Sequence, residues 1–208
     1  MDCPVSAQWN EFSRADDYRP SDALLVILFE QGRKVEARDL AVQWRPSVPR
    51  CAFAGLEVDL TARRWLDLIS LRFLLFEAVV RHGLHSGQVV LFGAGAAGEL
   101  AIEVGLLGVV PGAAVITLDI PLGPDQPIFA PARTSVRMVQ HRTPEDPQGA
   151  RFHALVEALK RQRVDVRSQL LPQHDESNPR VTLRAAGAFL GELVANASRL
   201  SHQAGPWP

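Results

Sequence analysis

Gln88-Val89-Val90-Leu91-Phe92-Gly93-Ala94-Gly95-Ala96-Ala97-Gly98 is the stretch on which the fold turns. A short apolar run meets a turn of very small residues, and Glu99-Leu100-Ala101-Ile102-Glu103 then shows helical spacing of polar and apolar positions. The pattern reads as strand, tight turn, helix. Two motifs share that geometry. A nucleophile elbow, G-x-S-x-G, needs small residues two places on either side of its serine, because the strained turn brings strand and helix backbones close together. Gly93 and Ala97 satisfy that steric demand, but Gly95 stands between them and has no attacking atom. Alternatively, Gly93-Ala94-Gly95-Ala96-Ala97-Gly98 matches G-x-G-x-x-G, whose glycines admit a pyrophosphate to a helix N-terminus. Asp119, about twenty residues past Gly98, is then the candidate for holding the ribose.

Outward from this turn, the chain alternates strand and helix. Leu24 to Phe29 is a continuous apolar run, the mark of a strand covered on both faces, and Glu30 to Lys34 forms a polar loop at its C-terminal end. Val35 to Trp44 reads as a short helix stopped by Pro46 and Pro49, and Cys51 to Gly55 as a strand. Thr61 is the expected N-cap of a long helix reaching Arg81, with Leu68, Leu71, Leu75, Ala78 and Val79 as its apolar face. Further strands are expected at Ala113 to Leu118, Ser135 to Gln140 and Val164 to Leu170, with a Pro-rich loop between Pro121 and Pro131. Amphipathic helices are expected at Arg151 to Arg161 and from Pro179 onward, the latter through Leu183, Ala186, Phe189, Leu190 and Leu193. The fold class is α/β, a doubly wound, mostly parallel sheet. Residues 1–22 are expected to be an arm or edge strand, 23–200 one domain and 201–208 a loose tail.

The 208 residues carry 22 Lys and Arg against 23 Asp and Glu, a formal charge of −1 that supplies no electrostatic reason for a nucleic-acid or anionic-membrane partner. The longest apolar stretch, Val104 to Leu118, is interrupted by Gly105, Gly108, Pro111 and Gly112 and is too short to span a bilayer. The acidic N-terminus lacks the apolar core of a secretory signal. Cys3 and Cys51 lie far apart without metal-ligand spacing, which suits a reducing cytoplasm. His82, His85, His141 and His153 form no ligand set with an acid or cysteine, so neither a metal nor a cofactor is expected.

With the elbow placed after two strand-helix units, most of residues 24–200 resembles the phospholipase/carboxylesterase family, the acyl-protein thioesterase-like α/β hydrolases without a lid domain. The likeness rests on Trp65-Leu66-Asp67 beside that family's W-F-D, on the elbow, and on Leu118-Asp119-Ile120-Pro121 where the family has L-S-G-x-L-P. It rests also on the strand from Val164-Asp165-Val166 to Leu171-Pro172-Gln173-His174, similar to the family's strand and catalytic histidine. The resemblance implies His174 at the base position and either Glu145 or Asp146 of His141-Arg142-Thr143-Pro144-Glu145-Asp146-Pro147 at the acid position. It leaves the nucleophile position vacant at Gly95. It further implies a pocket lined by Gln31, Gly32, Trp65 and Ala96, suited to a small acyl-like ligand, and a homodimer, since relatives are often dimeric.

The departures fall on the chemistry. The family's H-G-x-G oxyanion segment appears here as Phe29-Glu30-Gln31-Gly32, and a carboxylate at Glu30 opposes developing negative charge. Loss of a triad nucleophile lowers turnover by about six orders of magnitude in a serine protease. The expectation is therefore an impaired or inactive hydrolase homologue with a binding or scaffolding role. The alternatives are residual ester hydrolysis by a water held at His174, and dinucleotide binding at Gly93 to Gly98. An engineered inactivation would more usually place alanine at position 95, and the altered oxyanion segment favours natural loss.

Overall fold

The computed structural model describes residues 8–13, 22–59, 66–121, 134–141, 147–171 and 179–203. Thr61 and most of the Pro-rich segment lie outside them. The strands are β1 (Gln8–Ser13), β2 (Ala23–Glu30), β3 (Cys51–Val58), β4 (Val89–Ala94), β5 (Ala114–Leu118), β6 (Ser135–His141) and β7 (Asp165–Leu171). They form one seven-stranded sheet in the order β1-β3-β2-β4-β5-β6-β7. Every pairing is parallel except that of β1 with β3. The helices are α1 (Lys34–Trp44), α2 (Leu66–Arg81), α3 (Ala96–Leu106), α4 (Pro147–Arg161) and α5 (Pro179–Gln203).

The continuous apolar runs of the central strands are explained by burial on both faces. Successive strand side chains alternate sides. Accordingly Leu24, Val26 and Leu28 pack with Leu71 and Leu75 of α2, Ala97 and Ala101 of α3, and Phe152 and Leu159 of α4. Leu25, Ile27 and Phe29 point the other way, against Ala37, Ala41 and Trp44 of α1 and Ala186, Leu190 and Leu193 of α5. Of the apolar face expected on α2, Leu71, Leu75, Ala78 and Val79 are buried. Trp44 ties this second layer together. Its indole N–H donates to the Leu183 carbonyl at 3.1 Å, and its ring meets Phe92 edge-on at 4.9 Å between centroids. Cys51 lies inside this layer, and burial pushes its thiol pKa up to about 12, so it packs as a small apolar residue.

A polar seam fastens α5 to the edge of the sheet. Arg137 on β6 is 1% exposed, and its guanidinium donates to Asp165 Oδ2 and to Glu192 Oε1, both at 2.8 Å. A buried cation without partners is costly, so these two carboxylates are what permit an arginine on an inward-facing strand position. Burial works to lower the Arg137 pKa, but the bonds to Asp165 and Glu192 outweigh it and raise the value. Burial alone would raise the Asp165 pKa, and the bonds from Arg137 and Ser135 hold it below the ordinary carboxylate range instead. Both groups are thereby kept charged.

Candidate functional site

Strand β4 ends in a turn whose apex is Gly95, with φ 57° and ψ −132°, immediately before α3. That left-handed backbone is strained for any residue with a Cβ. The apex amide donates to the Leu118 carbonyl at 2.8 Å, and its own carbonyl accepts from Gly98 at 3.0 Å and Glu99 at 3.3 Å, which starts the helix. The small residues around it answer to crowding. A Cβ on Gly93 would be driven into the Ala97 carbonyl, and one on Gly98 would lie 2.7 Å from Ile120 Cγ2 and 2.9 Å from the Gly93 carbonyl oxygen. At Gly95 itself, a Cβ would meet nothing within 4 Å. The backbone therefore retains an elbow with open space in front of its apex. Gly95, having no side chain, leaves that space open.

Gln31 and Gly32 follow β2 at the same C-terminal edge of the sheet, and both are exposed. Gly32 has φ 85°, and its amide donates to Glu57 Oε1 at 3.1 Å. Glu30 is exposed beside Arg33, whose Nε lies 3.7 Å from its carboxylate. The Gly32 amide is thus engaged by the Glu57 carboxylate, and Glu30 carries a second carboxylate two residues before it. Ala96, the first residue of α3, is half-buried next to the apex. Trp65, Glu145, Asp146 and His174 lie outside the described residues.

The acid–base pair that the structure does bring together is a different one. Asp119, just past β5, accepts from the His141 backbone amide through Oδ1 and pairs with His141 Nδ1 through Oδ2, both at 2.7 Å. The Asp119 amide donates to the Val139 carbonyl at 3.0 Å, and Asp119 itself has φ 48°, so its backbone is bent to deliver the carboxylate to the next strand. On the other side of the imidazole, His141 Nε2 meets the hydroxyl of Thr182, a buried residue of α5. Asp, His and hydroxyl stand in the order of a catalytic triad. Both ring nitrogens nevertheless have partners within the fold, and the hydroxyl is buried.

Sequence reasoning weighed Asp119 as a ribose ligand and as part of the Leu118-Asp119-Ile120-Pro121 segment, and His141 as part of the acid segment and among the histidines without ligand spacing, but never paired the two. The available signal was positional: a polar residue immediately after each of two adjacent buried strands places both at one edge of the sheet. With its carboxylate engaged twice by His141, Asp119 is poorly placed to hold a ribose. The Gly-rich turn moreover follows the fourth strand in chain order, whereas a dinucleotide fingerprint opens its unit after the first. Among the described residues, no group of three or more His, Cys, Asp or Glu side chains could hold a metal ion.

Solved structures share this architecture. The esterase PE8 is 20% identical, with a TM-score of 0.62, over 91% of this chain and 99% of its own. A Bacillus cereus carboxylesterase is 13% identical, with a TM-score of 0.65, over 92% of this chain and 96% of its own. A dienelactone hydrolase from Klebsiella pneumoniae subsp. pneumoniae is 10% identical, with a TM-score of 0.64, over 93% of this chain and 99% of its own. No family model and no curated protein matches the chain. The class that fold and elbow define is the α/β-hydrolase fold, on a mostly parallel seven-stranded sheet, and its esterase-like neighbours agree with the family resemblance carried by the sequence. No helix among the described residues is long and apolar enough to cross a membrane.

Proposed function

We propose that this chain is a hydrolase-fold protein without serine-hydrolase activity, acting through binding or scaffolding in the cytoplasm. The observation that carries the reading is the apex of the elbow: Gly95 holds the strained φ and ψ of a nucleophile position with nothing to attack with. Acyl transfer through a covalent intermediate requires an activated oxygen or sulfur beside its base. The carboxylates of Glu30 and Glu57 around Gln31 and Gly32 argue the same way, since they disfavour the charge an acyl transition state develops. In this reading 23–200 form one domain, with 1–22 as its arm and 201–208 as its tail. On this reading a crevice beside Gln31, Gly32 and Ala96 holds a small acyl-like ligand, and no nucleic acid is bound.

Hydrolysis of short p-nitrophenyl esters tests the proposal. The expected rate equals the uncatalysed rate and is the same in the His174→Ala and His141→Ala variants. Cleavage well above background that disappears in His174→Ala would overturn it in favour of a histidine-positioned water, with Glu145 or Asp146 as the orienting acid. A fragment screen by nuclear magnetic resonance is expected to find shifts clustered at Gly95, Ala96 and Gly32. A thermal shift with NAD would instead revive the nucleotide reading of Gly93 to Gly98.

A further inference from the structure

Helix α2 carries a second apolar face that the fold does not use. Leu71, Leu75, Ala78 and Val79 turn into the core, whereas Ile69, Phe73, Phe76 and Val80 are 59%, 71%, 65% and 63% exposed. At 100° per residue these four fall on one line along the helix, in steps of four, three and four, pointing away from the sheet. Single exposed apolar residues are ordinary, but a continuous stripe with two phenylalanines at its centre marks an interaction surface. The steps are those of a two-helix seam, with Ile69 and Phe76 in one class of seam position and Phe73 and Val80 in the other.

We propose that the stripe is occupied by α2 of a second copy of this chain, the two helices lying parallel about a two-fold axis that runs along them. The flanking charges select this occupant and this direction. Arg72 lies on one side of the stripe and Glu77 on the other, five residues later, and both are exposed. In a parallel, in-register pair, the residue flanking one side meets the partner residue five positions further on, so Arg72 reaches Glu77 of the second copy, and symmetry makes the contact twice. An antiparallel pair would set Arg72 towards the second copy's Arg72 and Glu77 towards its Glu77, which repels on both flanks. Glu77 also accepts from Arg81 of its own helix at 2.6 Å, so in the dimer its carboxylate is shared between Arg81 and the second copy's Arg72. One helix of 16 residues buries little area, at the low end of specific interfaces, so the dimer is weak and depends on concentration. Nothing in this inference depends on the state of Gly95, and either can fail without the other.

Sedimentation velocity of the full chain across a concentration series tests the proposal, with thermal melts to confirm that every variant folds. The wild type is expected to pass from monomer to dimer as concentration rises. Phe73→Glu is expected to raise the dissociation constant at least about tenfold while leaving the melt unchanged, as truncation at the centre of a seam does. Arg72→Glu and Glu77→Arg should each weaken the dimer, and the double variant should restore it. A monomer at every concentration, a dimer indifferent to Phe73→Glu, or a double variant no stronger than the singles would each overturn the proposal. Monomer bound to phosphatidylcholine vesicles and released by Phe73→Glu would overturn it also, assigning the stripe to a lipid surface.

Discussion

Two corners of this sheet each carry one part of what a hydrolytic site needs, and neither carries the whole. At the end of β4 the backbone has the shape of a nucleophile elbow, kept by crowding between Gly93, Ala97 and Gly98, with an empty apex at Gly95. Across β5 and β6 the side chains of Asp119, His141 and Thr182 have the order of a triad, yet each is engaged by the others. The first corner has geometry without chemistry. The second has acid, base and hydroxyl, employed to hold α5 against the sheet. The difference teaches that crowding accounts for the small residues of such a turn and that attachment of a helix accounts for an acid–histidine–hydroxyl line. Neither is by itself evidence of catalysis.

The comparison can be broken most forcefully on the α5 side. Arg137→Ala leaves the carboxylates of Asp165 and Glu192 without their cation and opens a cavity, and a loss of about 3 kcal/mol or more is expected in chemical denaturation. A melt within experimental error of wild type would show that the seam is decorative. On the elbow side, Gly93→Ala forces a methyl into the Ala97 carbonyl, which is backbone and cannot swing aside, and about 2 kcal/mol is expected to be lost. If that variant is as stable as wild type, crowding does not explain the small residues of the turn. Thr182→Val removes the hydroxyl beside His141 Nε2 and should cost about 1 kcal/mol, with no change in any esterase background.

Acid probes the Arg137 seam without mutation. The Asp165 pKa is lowered in the folded protein, against burial, by its hydrogen bonds to Arg137 and Ser135. A carboxylate whose folded value lies below its unfolded one stabilises fully above the ordinary 3.8 and loses that contribution as pH falls through the folded value. Urea midpoints measured downward from pH 5 should therefore fall, and Asp165→Asn should fall less steeply. The smallest effect is expected where the chemistry is most tempting. Gly95→Ser has room for its side chain and should cost about 1 kcal/mol of backbone strain. It should yield no more than a trace of ester cleavage, because the carboxylate of Glu30 and that of Glu57, already bonded to the Gly32 amide, would repel an anion bound beside Gly32. Brisk turnover by this variant would show that only the attacking atom had been lost.

Much of this was legible in the residues themselves. The runs Leu24 to Phe29 and Val89 to Phe92 are apolar without alternation because the strands are covered on both faces, and that local pattern is enough to name a parallel sheet. That Gly95 carries no atom able to attack is likewise a statement about one residue's atoms and needs no coordinates. What the chain could not declare alone is which distant residues meet. Arg137 is one position of the strand expected over Ser135 to Gln140 until Asp165 and Glu192 are seen around it, and His141 only opens the expected acid segment until β5 brings Asp119 alongside and α5 brings Thr182. The exposed stripe of α2 depends on the same distinction: periodicity shows that a helix has apolar positions, but only the packed sheet decides which of them are left facing outward. Local composition sets the shape of each element through sterics and hydrophobic period, and long-range pairing, which no window of sequence contains, sets the partners of its polar groups.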